Sequence, residues 1–142
     1  MKRKVVQICM VLIMVWLMAG CGKTQSRTEK LRDLPFTVLA QEQLPAELQN
    51  MLEEKKAESF RRTFTDEDAL YICVGYGKQP TGGYSISVTE LYETENAVYV
   101  HTNLLGPSPE ETGQESPSYP YIVIKLEKPE PAGQTERPVV FE

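Results

Sequence analysis

Few residues in this 142-residue chain could make or break a bond, and their spacing argues against it. His101 is the one histidine. A metal site needs several ligands, and no cluster of Cys and His with usable spacing exists. A nucleophilic triad would have to use that single imidazole, and no serine sits in a nucleophile-elbow context. Asp66-Glu67-Asp68 precedes an apolar run but lacks the alternating oxygen ligands and the glycine of a calcium loop, so a solvated turn is expected. A carboxylate site built from Glu90, Glu93 or Asp68 is the enzymatic alternative, and it would require a pocket. No catalytic residue, no metal and no cofactor is expected, and hydrolase chemistry is not supported.

The distinctive segment is Gly75-Tyr76-Gly77-Lys78-Gln79-Pro80-Thr81-Gly82-Gly83-Tyr84. Four glycines and a proline in ten residues give a backbone that can take positive φ and turn tightly, which suggests a wide hairpin between two strands. A phosphate loop would be followed by a helix, and here a strand pattern follows. Tyr76, Lys78, Pro80, Thr81, Gly82, Gly83 and Tyr84 are the candidate partner-binding residues, with the two tyrosines as aromatic anchors.

Three cysteines are present, and each has a different expected fate. Lys2, Arg3 and Lys4, a largely apolar run over 5–18 and small Ala19-Gly20 form the three parts of an export signal. The run falls short of the roughly 20 apolar residues that a membrane span needs. Leu17-Met18-Ala19-Gly20-Cys21 resembles the lipobox of bacterial lipoproteins. That resemblance implies a signal peptide over 1–20, a diacylglyceryl group on Cys21, and a chain anchored to the cell membrane on its extracytoplasmic face. Cys9 leaves with the leader. Cys73, alone in the apolar run 69–74, is expected as a buried small hydrophobe, and no internal disulfide is available.

Loss of the leader leaves 122 residues, room for one domain. It also leaves 12 cations against 20 acids, a net charge of −8 that makes nucleic acid an unsuitable partner. Residues 21–33 are polar and basic and are expected to be a flexible tether, with a single domain over 34–142. Within that domain, 36–39 suggests a short strand. The span 44–56 is the one good helix, with Pro45 near its start, Lys55 and Lys56 near its end, and Leu48, Met51 and Leu52 on one face. Leu70, Ile72 and Val74 alternate with Tyr71 and Cys73, apolar on both faces as in a central strand. Ile86 and Val88 alternate with Ser85, Ser87 and Thr89, giving a strand with one wet face. A turn over 93–96 leads to a strand over 97–102 with Val98 and Val100 inward. A long loop over 103–118 follows, with Glu110 and Glu111 solvated, then a strand over 121–126 and a second loop over 129–138. Val139–Phe141 adds a short edge strand or a tail. The expected fold class is α+β: mainly an antiparallel sheet of five or six short strands with one N-terminal helix packed on one face. An all-β sandwich is the alternative.

Pro80-Thr81-Gly82-Gly83-Tyr84 with Ile86 and Val88, and the later Ser118-Tyr119-Pro120-Tyr121-Ile122-Val123-Ile124-Lys125, resemble the two signature stretches of the PrcB-like family, named for a subunit of a bacterial surface protease complex. The resemblance implies a non-catalytic, extracytoplasmic protein-binding module that assists a partner, a protease complex among the candidates. The same Pro80–Tyr84 run is similar to a loop of chagasin-type cysteine-protease inhibitors, and Arg137-Pro138 is similar to that family's third loop. That second resemblance implies protease inhibition.

Overall fold

Residues 29–110, 116–127 and 137–142 are described by the computed structural model. The strands are β1 (Arg32–Asp33), β2 (Thr37–Val38), β3 (Ser59–Thr65), β4 (Ala69–Tyr76), β5 (Ser85–Glu93), β6 (Val98–Leu105), β7 (Tyr121–Glu127) and β8 (Val139–Phe141). A 3-10 turn over Gln41–Gln43 and the helix α1 (Ala46–Lys55) separate β2 from β3. Two four-stranded sheets result, in the orders β1-β5-β6-β8 and β2-β7-β4-β3. All pairings are antiparallel except β6 with β8.

The apolar alternation of β4 explains why there are three layers. Ala69, Tyr71 and Cys73 face one way and pack with Leu44, Leu48, Leu52, Phe60 and Val123 beneath the helix. Ile72 and Val74 face the other way and pack with Ile122, Ile124 and Leu126 of β7 against Leu91, Val98 and Val100 of the second sheet. Both faces of β4 are therefore core. Leu48 and Leu52 of α1 are wholly buried, and each such leucine contributes roughly 1.5–3 kcal/mol relative to exposure. Pro45 stands at the helix N-cap, and the Gln49 amide donates to the carbonyls of Leu44 and Gln41, holding the turn that leads in.

The α+β expectation holds, with one helix covering one face of a sheet, and the second sheet gives the molecule the sandwich of the alternative reading as well. Eight strands stand where five or six were expected. β2 falls inside the strand expected over 36–39, and the additions are β1, two exposed residues too short for any alternation to register, and β3, where Phe60 alone is buried and no alternation shows. Arg32 and Asp33 fall inside the span read as tether, yet they pair with Glu93 and Tyr92. On β5 the register slips between Val88 and Glu90, so Leu91 and Glu93 turn inward after the bulge. Thr94 organises the β5–β6 turn: its hydroxyl accepts from the Ala97 amide at 3.1 Å, inside the expected 93–96 turn region. β6 runs on to Leu105, taking three residues from the expected loop.

Gly75 is fixed by contact rather than by turning. It pairs with Phe60, whose ring lies over the bare backbone, and a Cβ there would stand 2.2 Å from Phe60 Cε1. Gly75→Ala should cost about 1–3 kcal/mol in urea unfolding through overpacking, and much less in a Phe60→Ala background where the ring is gone.

Cys73 is wholly buried, as expected, and burial pushes its thiol from 9.0 up to about 12. Because the folded value is the higher one, this contribution to stability is complete below pH 9 and is lost as pH rises towards 12. The stability difference between the parent and Cys73→Ala should be constant below pH 9 and shift steadily against the parent above it, measured by denaturant unfolding across that range.

Candidate functional site

The glycine-rich segment is an arch. β4 already has β3 on one edge and β7 on the other, so β5 cannot pair with it, and the expected hairpin is replaced by a crossing from one sheet to the other. Gly77 and Gly83 make the bends at φ 71° and 81°, where side-chain-bearing residues are strained.

The arch is stitched to the second signature stretch. Gln79 and Ser118 exchange backbone hydrogen bonds at 2.8 and 3.2 Å, and the Ser118 hydroxyl donates to the Thr81 carbonyl at 2.6 Å. The Tyr76 amide donates to the Pro120 carbonyl at 3.1 Å. The Lys78 amide donates to the Ala57 carbonyl, just beyond α1, at 3.3 Å. Two stretches some 40 residues apart in sequence thus form one surface at the end of the sandwich where β4 finishes and β5 begins. No signal in the sequence paired Gln79 with Ser118, because isolated bridges leave no periodicity.

The candidate residues divide by exposure. Tyr76 points into the core, its hydroxyl donating to the Thr102 carbonyl at 2.8 Å and meeting the Thr102 hydroxyl at 2.9 Å, so it serves the fold from within. Gly82 is buried, and Thr81 and Tyr84 are half-buried. Lys78, Pro80 and Gly83 are exposed. Tyr119, which composition alone did not single out, is exposed beside them with the Lys56 ammonium 6.0 Å from its ring centre. Leu105, at the end of β6, is also exposed there.

The acids do not converge. Glu90 pairs with His101 on the outer face of its sheet, whereas Glu93 turns to the inner rim. There Glu93 binds the Arg32 guanidinium and accepts from Arg137 at 2.8 Å, and its side chain is only 14% exposed. Asp68 lies in the β3–β4 turn of the other sheet. That turn is ordered by Asp66, which accepts from the amides of Asp68 and Ala69 and from the Tyr71 hydroxyl at 2.8 Å. This hydrogen bond and burial raise the Tyr71 phenol above its ordinary value. Among the described residues no group of His, Cys, Asp and Glu could hold a metal.

Arg137-Pro138 overturns the inhibitor reading. Arg137 lies against Glu93, and the Pro138 carbonyl accepts from Val98, both where β5 ends and β6 begins. The Pro80–Tyr84 run lies at the opposite end, roughly 20 Å away along β4 at about 3.3 Å per residue. Two loops that enter one protease cleft must share an end, and these do not.

Cys21 and the leader lie outside the described residues, as do Glu111 and most of the 129–138 loop. Among the described residues no helix is long and apolar enough to cross a membrane. No curated protein and no solved structure matches the chain. Residues 70–127, from the start of β4 through β7, match the family model described as PrcB C-terminal, and the arch, its stitch to Ser118 and the two strands that carry them all lie inside the match.

Proposed function

We propose that the chain is a non-catalytic accessory protein of the cell envelope, anchored through lipid on Cys21, whose arch end binds a partner protein and assists the assembly or stability of an extracytoplasmic protease complex. The observation that carries this reading is the join between Gln79 and Ser118, which makes one rigid surface from the two stretches by which the chain resembles its family. Strands positioning exposed loops are the usual arrangement for recognition.

The path of the chain supports it. Lys30 approaches beside Glu93 and Tyr92, at the end opposite the arch. A tether leaving that end would hold the arch away from the membrane, turned towards other envelope proteins. The scatter of Glu90, Glu93 and Asp68 over separate surfaces agrees with a role without catalysis.

Crosslinking in intact cells tests the reading. Lys78→Ala and Tyr84→Ala should each fold with an unchanged unfolding midpoint, and together should lower recovery of a protease-complex partner by at least about tenfold, the scale of an aromatic or charged anchor. Cys21→Ser should move the protein from the membrane to the soluble fraction. An unchanged partner set in the double variant, or proteolysis by the purified protein alone, would overturn the proposal.

A further inference from the structure

The sandwich closes unevenly along the side where β1 and β2 lie. β5 stands next to β1 in one sheet and β7 stands next to β2 in the other, and β5 touches β7 across the core. β1 pairs with β5 only at Tyr92 and Glu93, with a further backbone hydrogen bond from Leu34 to the Leu91 carbonyl. Over 85–90 β5 pairs with β6 on one edge, and among the described residues no strand takes the other. Val38 marks the gap. It pairs with Ile124, whose side chain is buried between the sheets, so Val38 turns the same way. It is nevertheless 51% exposed, because β2 lies one strand further out than β5 and no described strand stands opposite. Ile86 and Val88, the inward residues of β5 beside the same space, are only half-buried.

We propose that this slot takes one extended, basic segment of a partner protein, which pairs with the open edge of β5 and lays alternate apolar side chains over Val38, Ile86 and Val88. A strand about 4.8 Å beyond β5 continues the line of β1 and sends every second side chain towards β2. β1 stops the slot at one end and the arch at the other, which leaves roughly 17 Å for 85–89 at about 3.4 Å per residue. The slot is one strand deep, and that excludes a second copy of this chain. A copy pairing antiparallel about Ser87 would set its residues 81–83 against 91–93, where β1 already lies, and would bring its own β7 sheet into the place of β2. Charge selects the segment. Residues 85–89 carry no charged side chain and no proline, the usual guards of an exposed edge. Glu90 follows them, exposed on the outer face and in no ion pair among the described residues. Lysine or arginine on the outer face of the added strand meets that carboxylate, and acids there are repelled by it. The wider field agrees, since residues 33–142 carry 8 cations against 19 acids.

The slot adjoins the arch but is built from other residues, Val38 of β2 and the edge of β5. Either surface can fail without the other.

Hydrogen exchange of the full-length protein in detergent tests the slot with capped heptapeptides. Val-Lys-Val-Lys-Val-Lys-Val at millimolar concentration should slow exchange of edge amides within 85–89 by about fivefold or more. Its counterpart with glutamate for every lysine should not. A third peptide with serine for every valine, which alters no residue of the protein, should also leave exchange unchanged, because it has nothing to lay on Val38. Val38→Asn, at a half-exposed position, should cut the protection by the valine-lysine peptide to less than about twofold with the unfolding midpoint kept. Glu90→Lys should weaken the same protection. Protection that maps elsewhere, equal protection by the lysine and glutamate peptides, none at all, or protection of 85–89 that grows with protein concentration alone would each overturn the proposal, the last in favour of a second copy.

Discussion

Everything in this domain is arranged about a strand that has no solvent side. β4 must satisfy α1 through Ala69, Tyr71 and Cys73 and the second sheet through Ile72 and Val74, while its two edges are hydrogen-bonded to β3 and β7. Packing at organic-crystal density on both faces leaves it no freedom to slide, since a shift of one residue would exchange the two sets of side chains. The remaining architecture follows from that restriction. With both edges taken, the chain leaving Tyr76 has to cross to another sheet, and the glycine-rich stretch is what allows the crossing.

Crossing between sheets also explains why the glycine-rich stretch and the stretch around Ser118 meet. The arch leaves the end of β4, and the chain arriving at β7 from β6 makes the second crossing at the same end. Because β7 lies beside β4, Ser118 and Pro120 come within hydrogen-bonding reach of Gln79 and Tyr76. The surface is a product of topology, and its stiffness comes from backbone hydrogen bonds, whose net worth is about 1 kcal/mol each.

Much of this was legible in the sequence wherever side chains repeat with a period. The doubly apolar run 70–74, the wet-faced 85–88 and the helical stripe of Leu48, Met51 and Leu52 each appear where their pattern placed them. What was hidden is what carries no period. The two-residue β1, the bulge at Thr89, and the choice between pairing with β4 and crossing away from it depend on which edges are already occupied, a property of the assembled sheet. The same limit applied at the arch, where Tyr76 read as an exposed anchor is held inside by Thr102, while Tyr119 stands in the open beside it.

Glu93 joins the two ends of the folded body, binding Arg32 as the chain arrives and Arg137 as it approaches its last strand. Its position bears on how the molecule carries load. β1 enters beside Glu93 and runs along β5 in the direction of the arch, so a pull between the arriving chain and a partner held at the arch acts parallel to the strands. In that direction the hydrogen bonds of Leu31, Arg32, Asp33 and Leu34 are strained together in shear and cannot be peeled one after another, and the carboxylate fastens the point where the tension arrives.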